Sequence, residues 1–141
     1  MERWVLYALL SMVFAGATSV LAKYGMKGLN SDAALMVRTF IVFILVAVNA
    51  LCFKNAYQQI KATSAANLLM LAVSGIATTL SWIFYYRAMK EGPVSYVAAI
   101  DKASIVITLI LSFTLLREPM TPKILLGGGF ILTGMLILVW K

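Results

Sequence analysis

Five long apolar runs, separated by short polar stretches, organise the chain. The first covers residues 4–22, with Trp4 and Tyr7 near one end and Lys23 and Lys27 beyond the other, the aromatic and basic flanks that membrane interfaces favour. Its length and the absence of a small-residue cleavage site set it apart from a signal peptide. The polar turn KGLNSD then offers Ser31 or Asp32 as an N-cap for a second run over 33–53. Arg38, early in that run, is expected to extend its aliphatic stem toward the headgroups. A loop carrying Lys54, Asn55, Gln58, Gln59 and Lys61 leads to a third run over 66–88. The connection KEGP, with Pro93 suited to a first helical turn, opens a fourth over 94–116, and REPMTP precedes the fifth over 124–140. Each run approaches the ~20 apolar residues needed to cross about 30 Å of hydrocarbon. The pattern predicts an all-α integral membrane protein with five transmembrane helices.

Polar residues inside these runs carry the functional signal. Asp101 and Lys102 stand together in VAAIDKASIV. A span beginning only at Ala103 would reach Leu116 after about 21 Å, too short for the bilayer, so the pair is placed inside the fourth helix. A lone charge there costs about 2.5–3.5 kcal/mol in lipid and must face protein or water. Adjacent helical residues point about 100° apart, so a side-by-side ion pair is expected to be poor geometry. Steps of three and four join Asp101 to Ser104, Thr108 and Ser112. The third helix repeats this with Ser74, Thr78, Ser81 and Tyr85, and the first has Tyr7, Ser11, Ala15 and Thr18. The second helix is apolar on nearly all sides and suits lipid. On the fifth, Gly127, Gly129, Thr133 and Gly134 are expected to admit another helix closely. Trp82, Tyr85, Tyr86 and Tyr96 suit the interfacial belt, and any that turn inward would stack on an organic cation. Packing is the alternative reading of each stripe. Three stripes and a membrane-embedded carboxylate together favour a hydrated pathway.

Composition narrows the choice. The chain is 62% hydrophobic and 12% charged, against about 25% charged in soluble domains. Its net charge of +7 lies between apolar runs, where it orients helices and meets anionic lipid, so nucleic acid is not an expected partner. With Cys52 as the single cysteine and no histidine, no intrachain disulfide, metal site or cofactor is predicted. The cations almost balance across the membrane: Arg3, Lys54, Lys61, Arg117 and Lys123 on one side, Lys23, Lys27, Arg38, Arg87, Lys90 and Lys141 on the other. Such a chain is expected to insert in both orientations and to form an antiparallel homodimer, an inverted pair around a central site.

The stretch from Tyr85 to Leu138, with Ala88, Glu91 and Gly92 at one turn, Glu118 at the next, and Gly128 and Gly134 in the last helix, resembles the repeat of the EamA-type drug/metabolite transporters. The resemblance implies one half of an inverted-repeat, ten-helix architecture, with a cavity formed by the first, third and fourth helices of each half. It also implies that the missing half is a second copy or a paired small membrane subunit. The chain departs from the family where Ile105 stands near a position often held by proline, with Asp101 and Lys102 before it. Family substrates therefore do not transfer directly.

The expected function is that of a multi-pass secondary transporter in a prokaryotic cytoplasmic membrane, exporting a small organic solute by alternating access. Asp101 is the expected partner of a cation or the proton-coupling carboxylate, with Lys102 beside it. Ser104, Thr108, Thr78, Ser81, Tyr85, Trp82, Ser11 and Thr18 are the further candidate substrate residues, and Glu118 is expected to cap or orient the fifth helix. Two other readings compete: half of a lipid-linked precursor flippase using Lys102, Arg87 or Lys90, and an assembly subunit whose stripes only bind partner helices. No enzyme is expected, because no nucleophile, base and orienting group come together in the pattern.

Overall fold

The computed structural model describes residues 2–52 and 56–140. Among the described residues seven helical segments follow one another: α1 (Arg3–Gly25), α2 (Ser31–Cys52), α3 (Ala56–Ala62), α4 (Ala65–Glu91), α5 (Val94–Lys102), α6 (Ser104–Thr114) and α7 (Pro122–Val139). Five stretches are long and apolar enough to span a bilayer, with α5 and α6 acting together over Val94–Thr114. The fold is therefore all-α, and most large apolar side chains point outward from the chain. In water this would be untenable, whereas lipid supplies the apolar surroundings that a soluble fold must build for itself.

Helix ends depart from expectation in instructive ways. The cap of α2 is Asn30, whose Oδ1 accepts from the Ala33 amide at 2.6 Å, one residue before the expected Ser31 or Asp32. Pro93 is the N-cap of α5 rather than part of its first turn, with φ −67° and ψ 134°. Thr121 caps α7 through its side chain, with Pro122 opening the helix. Glu118, expected in that capping or orienting role, instead lies in the preceding turn with its amide donating to Ser112 O at 3.2 Å. In the same turn Arg117 has φ 54°, a left-handed conformation for a residue with a Cβ. The expected loop between the second and third spans holds the short helix α3, while the predicted end of the second span at Phe53 falls outside the described residues.

The fourth span is not one uniform helix. Around Ala103 the backbone bonds tighten to three-residue steps, Ala103 N to Ile100 O at 2.9 Å and Val106 N to Ala103 O at 3.0 Å. A tightened turn advances about 120° per residue instead of about 100°, so Asp101 is rotated relative to Thr108 and the polar stripe is stepped there.

Two compact units divide the chain. One runs up to Val20 and resumes at Glu91; the other is Leu21–Lys90. In the first, α7 lies beside α5 and α6. Its close approach is at Gly128, where an added Cβ would stand 2.7 Å from Leu109 Cδ1. Gly127, Gly129 and Gly134 face open space within the chain. In the second unit, Met26, Leu35, Tyr86 and Met89 form a small core, with Met89 fully buried. They come from the α1–α2 connection, the start of α2 and the end of α4.

Candidate functional site

In the first unit, Asp101 and Lys102 close α5 immediately before the tightened turn. Lys102 Nζ lies 3.4 Å from Asp101 Oδ2, so the pair expected to have poor helix geometry does form. The flexible lysine stem spans the angle between adjacent Cβ vectors, at the long end of ion-pair distance. Asp101 is half-buried in the chain and Lys102 exposed.

The threonines along the expected stripes share one arrangement. Thr18 Oγ1 donates to Phe14 O at 2.8 Å, Thr78 Oγ1 to Ser74 O at 2.9 Å, and Thr108 Oγ1 to Ser104 O at 3.1 Å. A hydroxyl has one proton and two lone pairs, so these groups present acceptors once the proton is committed to their own helix. Thr133 Oγ1 likewise donates to Gly129 O at 2.9 Å. Ser11, Thr78, Ser81, Ser104 and Thr108 are exposed in the chain, and Thr18 and Tyr85 half-buried. The candidates divide between the units: Ser11, Thr18, Asp101, Lys102, Ser104 and Thr108 in the first, Thr78, Ser81, Trp82 and Tyr85 in the second.

Within the second unit the structure reveals contacts that sequence reasoning missed. Arg38 packs against aromatic rings of α4. Its guanidinium carbon sits 4.3 Å from the Trp82 ring centroid and 5.9 Å from that of Tyr86. The cation stacked on Trp82 is thus the protein's own. Spacing held a clue, since aromatic residues four apart on a helix form one face against which a lone arginine can settle. Arg38 Nη1 is buried without a hydrogen-bond partner, so the ring faces supply its principal compensation.

The basic residues counted toward orientation also join helix ends. Lys23 Nζ donates to Met89 O, while Lys90 Nζ donates to Leu29 O at 2.7 Å and Met26 O at 3.3 Å. The C-terminal end of α4 therefore receives a lysine from α1, and the α1–α2 connection just beyond α1 receives one from α4. The last carbonyls of a helix lack intrahelical donors and carry partial negative charge, and a lysine answers both needs. Asp32, freed from capping by Asn30, receives Arg87 in a two-point pair, Nε to Oδ1 at 3.3 Å and Nη2 to Oδ2 at 3.2 Å. The second helix, expected to suit lipid apart from Arg38, Thr39 and Asn49, leaves most of its large apolar side chains exposed in the chain but presents Asp32, Leu35 and Arg38 to protein.

Comparison with known proteins agrees with this membrane architecture. The model of the EamA-like transporter family matches residues 2–140. A protein described as "Uncharacterized transporter in cobO 3'region", from Sinorhizobium sp, is 37% identical over 137 residues, covering 97% of this chain and 96% of its own length. No solved structure matches.

Proposed function

The chain belongs to the EamA-like transporter family, and on that premise we propose that it is half of a secondary transporter that exports a small organic solute by alternating access. The observation that carries this reading is the family match across all five apolar spans. The near-balance of loop cations supports a second copy, inserted in the opposite orientation, as the other half. In this reading Asp101 serves as the coupling carboxylate or charge partner of the solute, with Lys102 as its resting counter-ion. Ser11, Thr18, Ser104 and Thr108 of the first unit are the solute's candidate polar contacts, as are Thr78, Ser81 and Tyr85 of the second, whereas Trp82 already carries Arg38. The committed threonine protons favour a solute that donates hydrogen bonds. A membrane-embedded carboxylate beside a tightened turn is suited to coupling, because the turn can relax when the charge is neutralised.

Two measurements test the proposal. Single cysteines at the N-terminus and in the 58–61 segment, on a background lacking Cys52, should be labelled from both sides of intact cells; labelling from one side alone would eliminate the antiparallel pair. Asp101→Asn should abolish proton-dependent efflux of a lipophilic organic cation dye while leaving membrane insertion unchanged. Proton-dependent efflux retained at the wild-type rate would remove Asp101 from the mechanism.

A further inference from the structure

The second unit contains a groove unused by the transport reading. Its volume is about 700 Å³, and it lies between α2 and α4. Leu35, Met36, Phe40 and Phe43 wall one side, Ile83 and Thr79 the other, and the Asp32–Arg87 pair belongs to its lining. We propose that this groove seats one anionic phospholipid, with an acyl chain along α2 and α4 and the phosphate on Arg87.

Three observations select a lipid. Asp32 and Phe43, the first and last lining residues on α2, are separated by about 16 Å of helical rise, matching the roughly 15 Å hydrocarbon depth of one leaflet. A headgroup at the charged end thus leaves an apolar track as deep as one leaflet. Second, Leu35, Met36, Phe40, Phe43 and Ile83 give the groove mostly bulky apolar walls, interrupted by Thr39 and Thr79. Close helix contacts in membranes favour small residues, whereas bulky, uneven walls suit a flexible chain. Third, Arg87 gives Asp32 only its Nε and one Nη2 donor, leaving three of its five N–H groups for phosphate oxygens. Lys23, Lys27 and Lys90 belong to the same end of this unit, with Asp32 as the opposing carboxylate, and this balance favours a net-negative headgroup.

The test uses the full chain purified in mild detergent, delipidated, and titrated with phosphatidylglycerol or phosphatidylcholine, bound lipid and oligomer being counted by native mass spectrometry. Wild type should bind a tight phosphatidylglycerol in preference to phosphatidylcholine. Thr79→Trp, which fills the groove and removes only a hydroxyl bonded to its own helix at Gly75 O, should abolish that tight site. Arg87→Gln should weaken it by about tenfold, as expected for loss of a charge-assisted contact. Asp32→Asn should leave phosphatidylglycerol bound at least as tightly as in wild type, because it frees the arginine fork. A merely structural ion pair would make Asp32→Asn as damaging as Arg87→Gln, and that result overturns the assignment of phosphate to Arg87. Wild-type lipid retention by Thr79→Trp overturns the groove as the site. Loss of the dimer by Thr79→Trp with unchanged lipid binding overturns the lipid occupant in favour of a second copy. If Arg87→Gln fails to fold, Thr79→Trp and Asp32→Asn still decide the question.

Discussion

Deleting one positive charge from the end of the second unit should have very different consequences depending on which cation is removed. Lys23→Met keeps the length and most of the apolar stem but withdraws the ammonium from Met89 O, in a part-buried contact at a fully buried residue. A hydrogen bond from a charged group contributes about 1.5–3 kcal/mol, and the cation also offsets the negative end of α4. We expect a loss of about 2 kcal/mol, roughly thirtyfold in the unfolding equilibrium. Arg87→Met deletes the same charge at the same end, but its pair with Asp32 is held between side chains 54% and 61% exposed. Solvent screening limits such a pair to about 0.2–1 kcal/mol, at most about a fivefold change. The assay is reversible unfolding in mild detergent followed by far-UV circular dichroism, accompanied by the two-sided cysteine labelling described above. Both variants lose one cation from the same side, so a role confined to orientation predicts equal topology shifts and equal stability. Equal unfolding midpoints for the two variants, or no change for Lys23→Met, would refute the reciprocal lysine contacts as a source of stability.

Gly128→Ala should change the thermal midpoint little, because the new methyl meets only the movable tip of Leu109 while helix propensity improves by about 1 kcal/mol. Gly128→Leu should destabilise by about 1–3 kcal/mol through overpacking; equal midpoints for the two variants would show that α6 and α7 do not pack at this glycine. Arg117→Gly should stabilise by about 0.5–1 kcal/mol, since glycine accepts the left-handed φ of 54° without the Cβ clash. A lower midpoint in detergent unfolding would show that the arginine side chain outweighs the backbone strain.

Much of this molecule is written in the one-dimensional pattern. A bilayer demands that each span satisfy its own backbone hydrogen bonds, so five apolar runs of sufficient length translate into five helical spans. Thr121 and Pro122 start α7 ahead of the expected residue 124 and in place of Glu118, a cap signal whose chemistry acts within one turn. The expectation that failed at Asp101 and Lys102 treated the fourth span as a uniform helix and a lysine as a rigid vector. Neither the tightened steps at Ala103 nor the reach of a four-carbon stem is encoded in apolar periodicity. Arg38 was read from its own helix alone, although its position depends on Trp82 and Tyr86, more than forty residues away.

The same division holds at every scale. Sequence by itself determined the fold class and the number of spans, because these follow from local hydropathy and chain connectivity. Only tertiary structure decided which cations fasten helix ends, which glycine lies beneath Leu109, and which face of α2 carries an apolar groove beneath an ion pair. Those outcomes depend on the register and rotation of one helix against another, which short-range directional contacts fix and hydropathy, being non-directional, leaves open.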